Sequence, residues 1–82
     1  MLARMPNVLV TYTEHAQIRM RERDIDQWLV ELTLARPHRV LEDAEGKPIA
    51  ERRFRSGTLR VVYVDRIDAG GWHRHVITVI WR

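Results

Sequence analysis

Residues 26–42, DQWLVELTLARPHRVLE, decide the fold because the spacing of their apolar side chains changes partway through. Asp26 is a favourable N-cap, and apolar residues then recur at helical spacing. These are Trp28, Leu29, Leu32 and Ala35, with Val30 and Leu34 on the neighbouring face. The segment is apolar almost all round, which predicts a central buried helix with Trp28 in the core. Arg36-Pro37 ends the helix, and beyond Pro37 the period becomes 2, which is typical of strands.

Four strands are predicted after Pro37. They cover residues 39–42, 49–54, 58–65 and 73–81, separated by turns at 43–48, at Ser56-Gly57 and at 67–71. Every link between consecutive strands is short, and short links join antiparallel neighbours. The second half of the chain therefore predicts a simple antiparallel meander.

A second helix is predicted before this segment. Val8-Leu9-Val10 is a short apolar run, and Thr11 with Glu14 has the spacing of a capping box. A helix should begin there and continue to about Arg23. The predicted fold is thus α+β, with two N-terminal helices packed on one face of a four-stranded antiparallel sheet in the order α-α-β-β-β-β. We expect one domain over residues 7–82, preceded by a frayed leader at residues 1–6.

The composition favours an acidic partner. The 82 residues carry a net charge of +3, and of the 14 basic residues only Lys47 is a lysine. Arginine presents a planar fork of donors that suits phosphate, although a GC-rich genome also enriches arginine. The absence of cysteine excludes disulfides and thiolate metal sites and is consistent with a cytoplasmic protein. The longest apolar runs are too short to cross a membrane, so no membrane partner is expected.

A cationic ridge on the first helix is the main candidate for function. His15, Arg19 and Arg23 follow one another at intervals of four, which rotates each by only roughly 40° from the last. Histidine is the usual acid or base near neutral pH, and arginine holds phosphate. The same pattern is also found on helix faces that are simply solvated, with Glu22 offsetting part of the charge.

Further candidates lie in the predicted sheet. Arg60 lies in mid-strand among apolar residues, where a charge needs an explanation. It is either a catalytic cation or the ion-pair partner of Glu42 or Glu51. The predicted substrate-binding residues are Arg52, Arg53, Arg55, Tyr63 and Thr78. If these residues do not bind substrate, the three arginines belong to a charged edge strand that discourages aggregation. In that case Tyr63 is a half-buried residue that packs between strands. His73 and His75 share a strand face but lack a full ligand set, so no metal or other cofactor is predicted.

The run His15-Ala16-x-x-Arg19-Met20-x-Glu22-Arg23-x-Ile25 resembles the N-terminal signature of a small bacterial family of unknown function. Members of that family continue with strands similar to residues 59–63 and 77–80 of this chain. The family in turn resembles the RelE-like toxins, which share the barnase, EndoU, colicin and RelE architecture. The resemblance implies a metal-independent endoribonuclease, the mRNA interferase-like toxin of a toxin–antitoxin system, which acts on RNA with or without the ribosome.

In this reading the 2′-hydroxyl attacks the phosphate, and His15, Arg19, Arg23 and Arg60 are the catalytic positions. The alternative is a non-catalytic module of the same fold that binds RNA or protein through the His15, Arg19 and Arg23 face.

A protein partner is also expected. Trp72 and Trp81 fall near the two ends of the last predicted strand. If that strand lies at the sheet edge, its unpaired backbone groups and these rings would form a docking surface. The expected occupant is an acidic antitoxin-like protein or a second copy of the chain.

Overall fold

The computed structural model describes residues 9–82, and these residues form two helices and five strands. In chain order they are β1 (Leu9–Tyr12), α1 (Glu14–Glu22), α2 (Gln27–Ala35), β2 (Arg39–Glu42), β3 (Pro48–Phe54), β4 (Gly57–Asp68) and β5 (Gly71–Trp81). The predicted leader and the predicted domain start at residue 7 lie outside the described residues.

The sheet is mixed and five-stranded, with strand order β1-β5-β4-β3-β2. The pairs β2–β3, β3–β4 and β4–β5 are antiparallel, as the short links predict, whereas β1 runs parallel to β5. The α+β class is therefore right, and the prediction of a four-stranded antiparallel sheet is wrong. The missing strand is β1, whose partners His73–Val76 lie more than sixty residues further along the chain.

The error at β1 has a local cause, because two threonines compete for the helix start. Thr11 belongs to the strand, and Thr13 is the N-cap of α1. The Thr13 hydroxyl accepts the Ala16 N–H at 3.0 Å and donates to the Ile77 carbonyl of β5 at 2.8 Å. One side chain thus starts the helix and attaches it to the sheet.

Both helices pack on the same face of the sheet, α1 against β5 and α2 against β3 and β4. Ala16, Val30 and Leu34 meet Leu59, Val61 and Val79 in one core. Of the two helices α2 is the more buried, in agreement with the prediction. Trp28, however, is 52% exposed, so its predicted place in the core is wrong.

Two arginines of the sheet complete the end of α2. Arg52 of β3 donates to the Arg36 carbonyl at 2.6 Å, and Arg74 of β5 reaches the Leu34 carbonyl at 3.4 Å. The last carbonyls of a helix lack partners within the helix and carry its negative dipole end. Guanidinium groups satisfy them here.

The last strand, β5, is not an edge strand, because it lies between β1 and β4. The docking surface expected at its free edge is therefore wrong along the stretch that β1 covers. Trp81 packs against the core and stacks on Phe54 with ring centroids 6.2 Å apart.

Candidate active site on the open face of the sheet

The sheet has a second face, which neither helix covers, and we call it the open face. Side chains alternate between the two faces of a strand. Since Leu59 and Val61 point into the core, Arg60 and Val62 lie on the open face. Glu51 and Arg39 belong to the same row as Arg60, because Glu51 pairs with both residues.

Glu51 is held between two arginines. The Arg39 Nε donates to Glu51 Oε1 at 2.7 Å, and the Arg60 Nε donates to Glu51 Oε2 at 2.6 Å. Glu51 is only 9% exposed. The guanidinium groups of Arg39 and then Arg60 hold the pKa of the Glu51 carboxyl below its ordinary value, and partial burial opposes them. The carboxyl is therefore an anion at neutral pH.

His38 lies beside this carboxylate at the entrance to β2. Its backbone N–H donates to the Glu51 carbonyl at 2.8 Å, and its ring Nδ1 accepts the Arg53 N–H at 3.0 Å. With Nδ1 occupied as an acceptor, the proton of the neutral ring resides on Nε2. A pocket of about 370 Å³ is lined by His38, Arg39, Glu51, Arg53 and Thr58. One pocket thus gathers an imidazole, a carboxylate and guanidinium groups.

A larger pocket of about 480 Å³ lies on the other side of the sheet, where Tyr12 and the two helices meet. Its charged groups are two carboxylates, Asp24 and Asp26, beside the single guanidinium of Arg21. Such a pocket repels phosphate, so it is the weaker candidate for the predicted chemistry in spite of its size.

The predicted ridge lies on α1, away from the open face. His15 and Arg23 are exposed and Arg19 is half-buried, and within residues 9–82 none of the three forms an ion pair. Arg60 was expected to join them, but it points to the opposite face of the sheet. The four predicted catalytic positions therefore do not form one site.

The predicted substrate-binding residues are divided among three places. Arg53 lines the open-face pocket, and Thr78 lies on the same face opposite Val62. Arg52 is on the helix side, and Arg55 is exposed in the β3–β4 turn. Tyr63 is 6% exposed with the Arg74 guanidinium 4.8 Å from its ring centre, so this ring packs in the core and is closed to a base.

A β-bulge in β5 decides which residues join the open face. Val62 pairs with Thr78 but Tyr63 pairs with Val76, which leaves Ile77 as the extra residue. The bulge reverses the alternation, so that His73 and His75 share the open face with Thr78. Without it, Arg74 would point away from α2.

Sequence reasoning missed Glu51 and His38 as site residues. Glu51 entered only as a partner for Arg60, and His38 follows a proline in a short connection without any pattern. The available signal was a carboxylate at the centre of a strand whose neighbours Ile49 and Ala50 are apolar. Among residues 9–82, no group of three or more histidine or carboxylate side chains is placed to hold a metal ion.

The architecture defines a small α+β domain with two helices on one face of a mixed sheet and a polar pocket on the other. The profile of DUF4258, a domain of unknown function, matches residues 12–81, and the chain belongs to that family. No curated protein and no solved structure matches the chain. None of the helices in residues 9–82 is long and apolar enough to span a membrane.

Proposed function

We propose that this domain is a metal-independent endoribonuclease whose active site is the open-face pocket around Glu51. The observation that carries the proposal is the pocket itself, where His38, Arg39, Glu51 and Arg53 line one cavity of about 370 Å³. Cleavage of RNA by its own 2′-hydroxyl requires a base, an acid and cations that stabilise the charge on phosphorus. These residues supply all three, so the step needs no metal.

Glu51 is the base. Each carboxylate oxygen has two acceptor sites, and each accepts one arginine N–H, so one site per oxygen is left for the 2′-hydroxyl. The hydroxyl passes its proton to Glu51 as its oxygen bonds to phosphorus. The lowered pKa of Glu51 keeps it in the ionised form that a base requires.

His38 is the acid. The bond from phosphorus to the 5′-oxygen breaks as His38 gives that oxygen a proton, which leaves a 2′,3′-cyclic phosphate and a 5′-hydroxyl. The acid is the imidazolium form of His38, in which Nδ1 is protonated as well as Nε2, and protonation of Nδ1 displaces the Arg53 N–H.

Arg39, Arg53 and Arg60 bind the phosphate. The Arg39 side chain is 60% exposed and donates to Glu51 through its Nε. Among residues 9–82 its terminal N–H groups have no partner, so they can bind a phosphate oxygen. Arg60 is more buried and holds Glu51 from the other side. Their charge opposes the extra negative charge that forms on phosphorus in the transition state.

The rival proposal is a binding module without cleavage that uses His15, Arg19 and Arg23. It is supported by the exposure of His15 and Arg23 and by the lack of ion-pair partners for the ridge within residues 9–82. The partner expected at this surface, an acidic protein or a second copy of the chain, stays a prediction. The toxin role also stays a prediction.

Two histidine variants separate the proposals. His38→Ala should reduce RNA cleavage about 10²–10⁴-fold, the usual effect of losing a general acid or base. His15→Ala is the control at another exposed histidine and should alter stability by no more than about 0.5 kcal/mol. His38→Ala also loses the hydrogen bond from the Arg53 N–H, which should cost about 0.5–1.5 kcal/mol and leave the domain folded. Full activity of His38→Ala, or loss of activity in His15→Ala alone, contradicts the open-face site.

The toxin role needs a test in cells. Expression of the wild-type chain should arrest growth and fragment RNA, whereas His38→Ala should do neither. Intact RNA and normal growth with folded wild-type protein would argue against the toxin role.

A further inference from the structure

A second polar cluster occupies the other end of the open face, and the proposed reaction does not use it. Arg66 of β4 lies directly opposite His73 of β5, and His75 follows on the same face. The two imidazole rings meet edge to face with centroids 6.4 Å apart. From β1, the Thr11 hydroxyl forms a hydrogen bond of 2.8 Å with His75 Nδ1. Three strands thus contribute to one cluster.

This cluster gathers cationic groups with little to neutralise them. Within residues 9–82 its one ion-pair contact joins His73 Nδ1 to Asp68 at 3.7 Å, and the Asp68 side chain is 59% exposed. In the part of the chain that the structure describes, no carboxylate lies between Arg66 and His75 as Glu51 lies between Arg39 and Arg60. Burial first, and then the charges of Arg66 and His73, lower the pKa of His75. A bound anion would relieve that repulsion.

The two clusters are joined by a less polar row. Leu41, Ile49, Val62 and Thr78 pair directly across β2, β3, β4 and β5. Arg60 and Arg66 are six residues apart on β4, which corresponds to about 20 Å along a strand. A single strand of about four nucleotides can cover a distance of this order, and about four nucleotides is the lower end of the range that one OB fold binds. The row between suits the bases of a single strand, which a duplex turns inward.

We propose that Arg66, His73 and His75 form a second phosphate subsite, so that the substrate is single-stranded RNA lying along β4 from the Glu51 pocket to this cluster. The inference rests on the proposed function, because that function supplies the RNA. It adds a binding site remote from the bond that breaks. Contacts at this subsite should contribute to the binding of long substrates and not of dinucleotides.

The test uses 2′-deoxy oligonucleotides, which lack the attacking hydroxyl and therefore bind without turnover. Strands of two and of five nucleotides are titrated separately into the full chain, and the imidazole signals are followed by NMR. The five-nucleotide strand should shift the His73 and His75 signals and raise the pKa of His75. The two-nucleotide strand should shift only the His38 signals. A parallel titration with inorganic phosphate tests whether a free anion alone produces the same changes.

Arg66→Ala supplies the second measurement. Arg66 is exposed, so the variant should fold normally, bind the five-nucleotide strand about fivefold more weakly, and bind the two-nucleotide strand unchanged. The slope of log K against log salt should fall by about 0.7. Arg21→Ala is the control, since it removes the same charge from α1 on the helix side.

The outcomes separate this inference from the proposed function. If dinucleotides are cleaved but the five-nucleotide strand binds Arg66→Ala and wild type equally, the subsite is wrong and the function stands. If no RNA is cleaved but the five-nucleotide strand raises the pKa of His75, the subsite stands and the function is wrong. Binding that leaves His75 unaffected, or His75 responding to inorganic phosphate alone, overturns the RNA subsite.

Discussion

Replacing Glu51 with glutamine removes one negative charge from the open face without changing the shape of the side chain. The amide oxygen can still accept from one arginine, but the amide NH₂ then faces the donor of the other. The contact with Arg60 lies in a largely buried setting, with side chains 24% and 11% exposed, and a hydrogen bond of this kind to a charged group contributes about 1.5–3 kcal/mol. Arg39 is 60% exposed, so its pair adds only about 0.2–1 kcal/mol.

Glu51→Gln should therefore lower the free energy of unfolding by about 2–3 kcal/mol at pH 7. For a domain of this size that corresponds to a decrease in Tm of roughly 10–20 °C. Urea denaturation and a thermal melt measure both quantities. Glu45→Gln is the matched control, because the Glu45 side chain is 75% exposed, so solvent screens its pair with Lys47 and the free energy of unfolding should hardly change.

The pH dependence of stability in wild type and Glu51→Gln tests whether the charge of Glu51 causes this loss. The pKa of Glu51 is lowered in the folded state, so its stabilisation is present above its ordinary value of 4.5 and is lost as the pH falls through the folded pKa. The difference between wild type and Glu51→Gln should shrink over that range. A loss below about 1 kcal/mol at pH 7, or a loss that is unchanged in acid, would refute the reasoning.

Three further results are expected. Thr13→Ala should lower stability by about 1–2 kcal/mol in urea denaturation, because the hydroxyl caps α1 and binds the Ile77 carbonyl, whereas Thr13→Ser should be nearly neutral. Since the pKa of His75 is lowered from 6.5, the folded state binds its proton less readily, and stability should fall as the pH drops below that value. His75→Gln should remove this part of the pH dependence. Trp28→Gln should change stability by less than about 1 kcal/mol, because the ring is half exposed, and a loss of several kcal/mol would restore Trp28 to the core.

Local patterns predicted most of the fold from the sequence. The change of period at Pro37 located the end of α2, and β2 begins and ends where the alternation predicts. Short links defined the antiparallel pairs. The sequence around Leu9–Tyr12 did not reveal β1, since four residues carry too little pattern and their partner is distant. Pairing over such a separation is set by tertiary packing and leaves no local signal.

The candidate site was harder to predict for a similar reason. Arg60 and Arg53 were named from the sequence, but the spacing on α1 drew attention to His15 and its neighbours. Glu51 becomes recognisable as the centre of a site only when the β2–β3 and β3–β4 registers place Arg39 and Arg60 on either side of it. The bulge at Ile77 likewise brings His73 and His75 to the open face, and no residue type in the sequence around Ile77 predicts a bulge.

The chemistry of the cleaved ends tests the central claim most directly. An RNA oligonucleotide is incubated with the wild-type chain in EDTA, beside a copy that carries a single 2′-deoxy sugar at the cleaved position, and the products are identified by mass spectrometry. We expect a 2′,3′-cyclic phosphate and a 5′-hydroxyl from the RNA, no cleavage at the deoxy position, and no such products from His38→Ala. Cleavage at the deoxy position, a 5′-phosphate on the product, or activity that appears only with added metal would contradict the proposal.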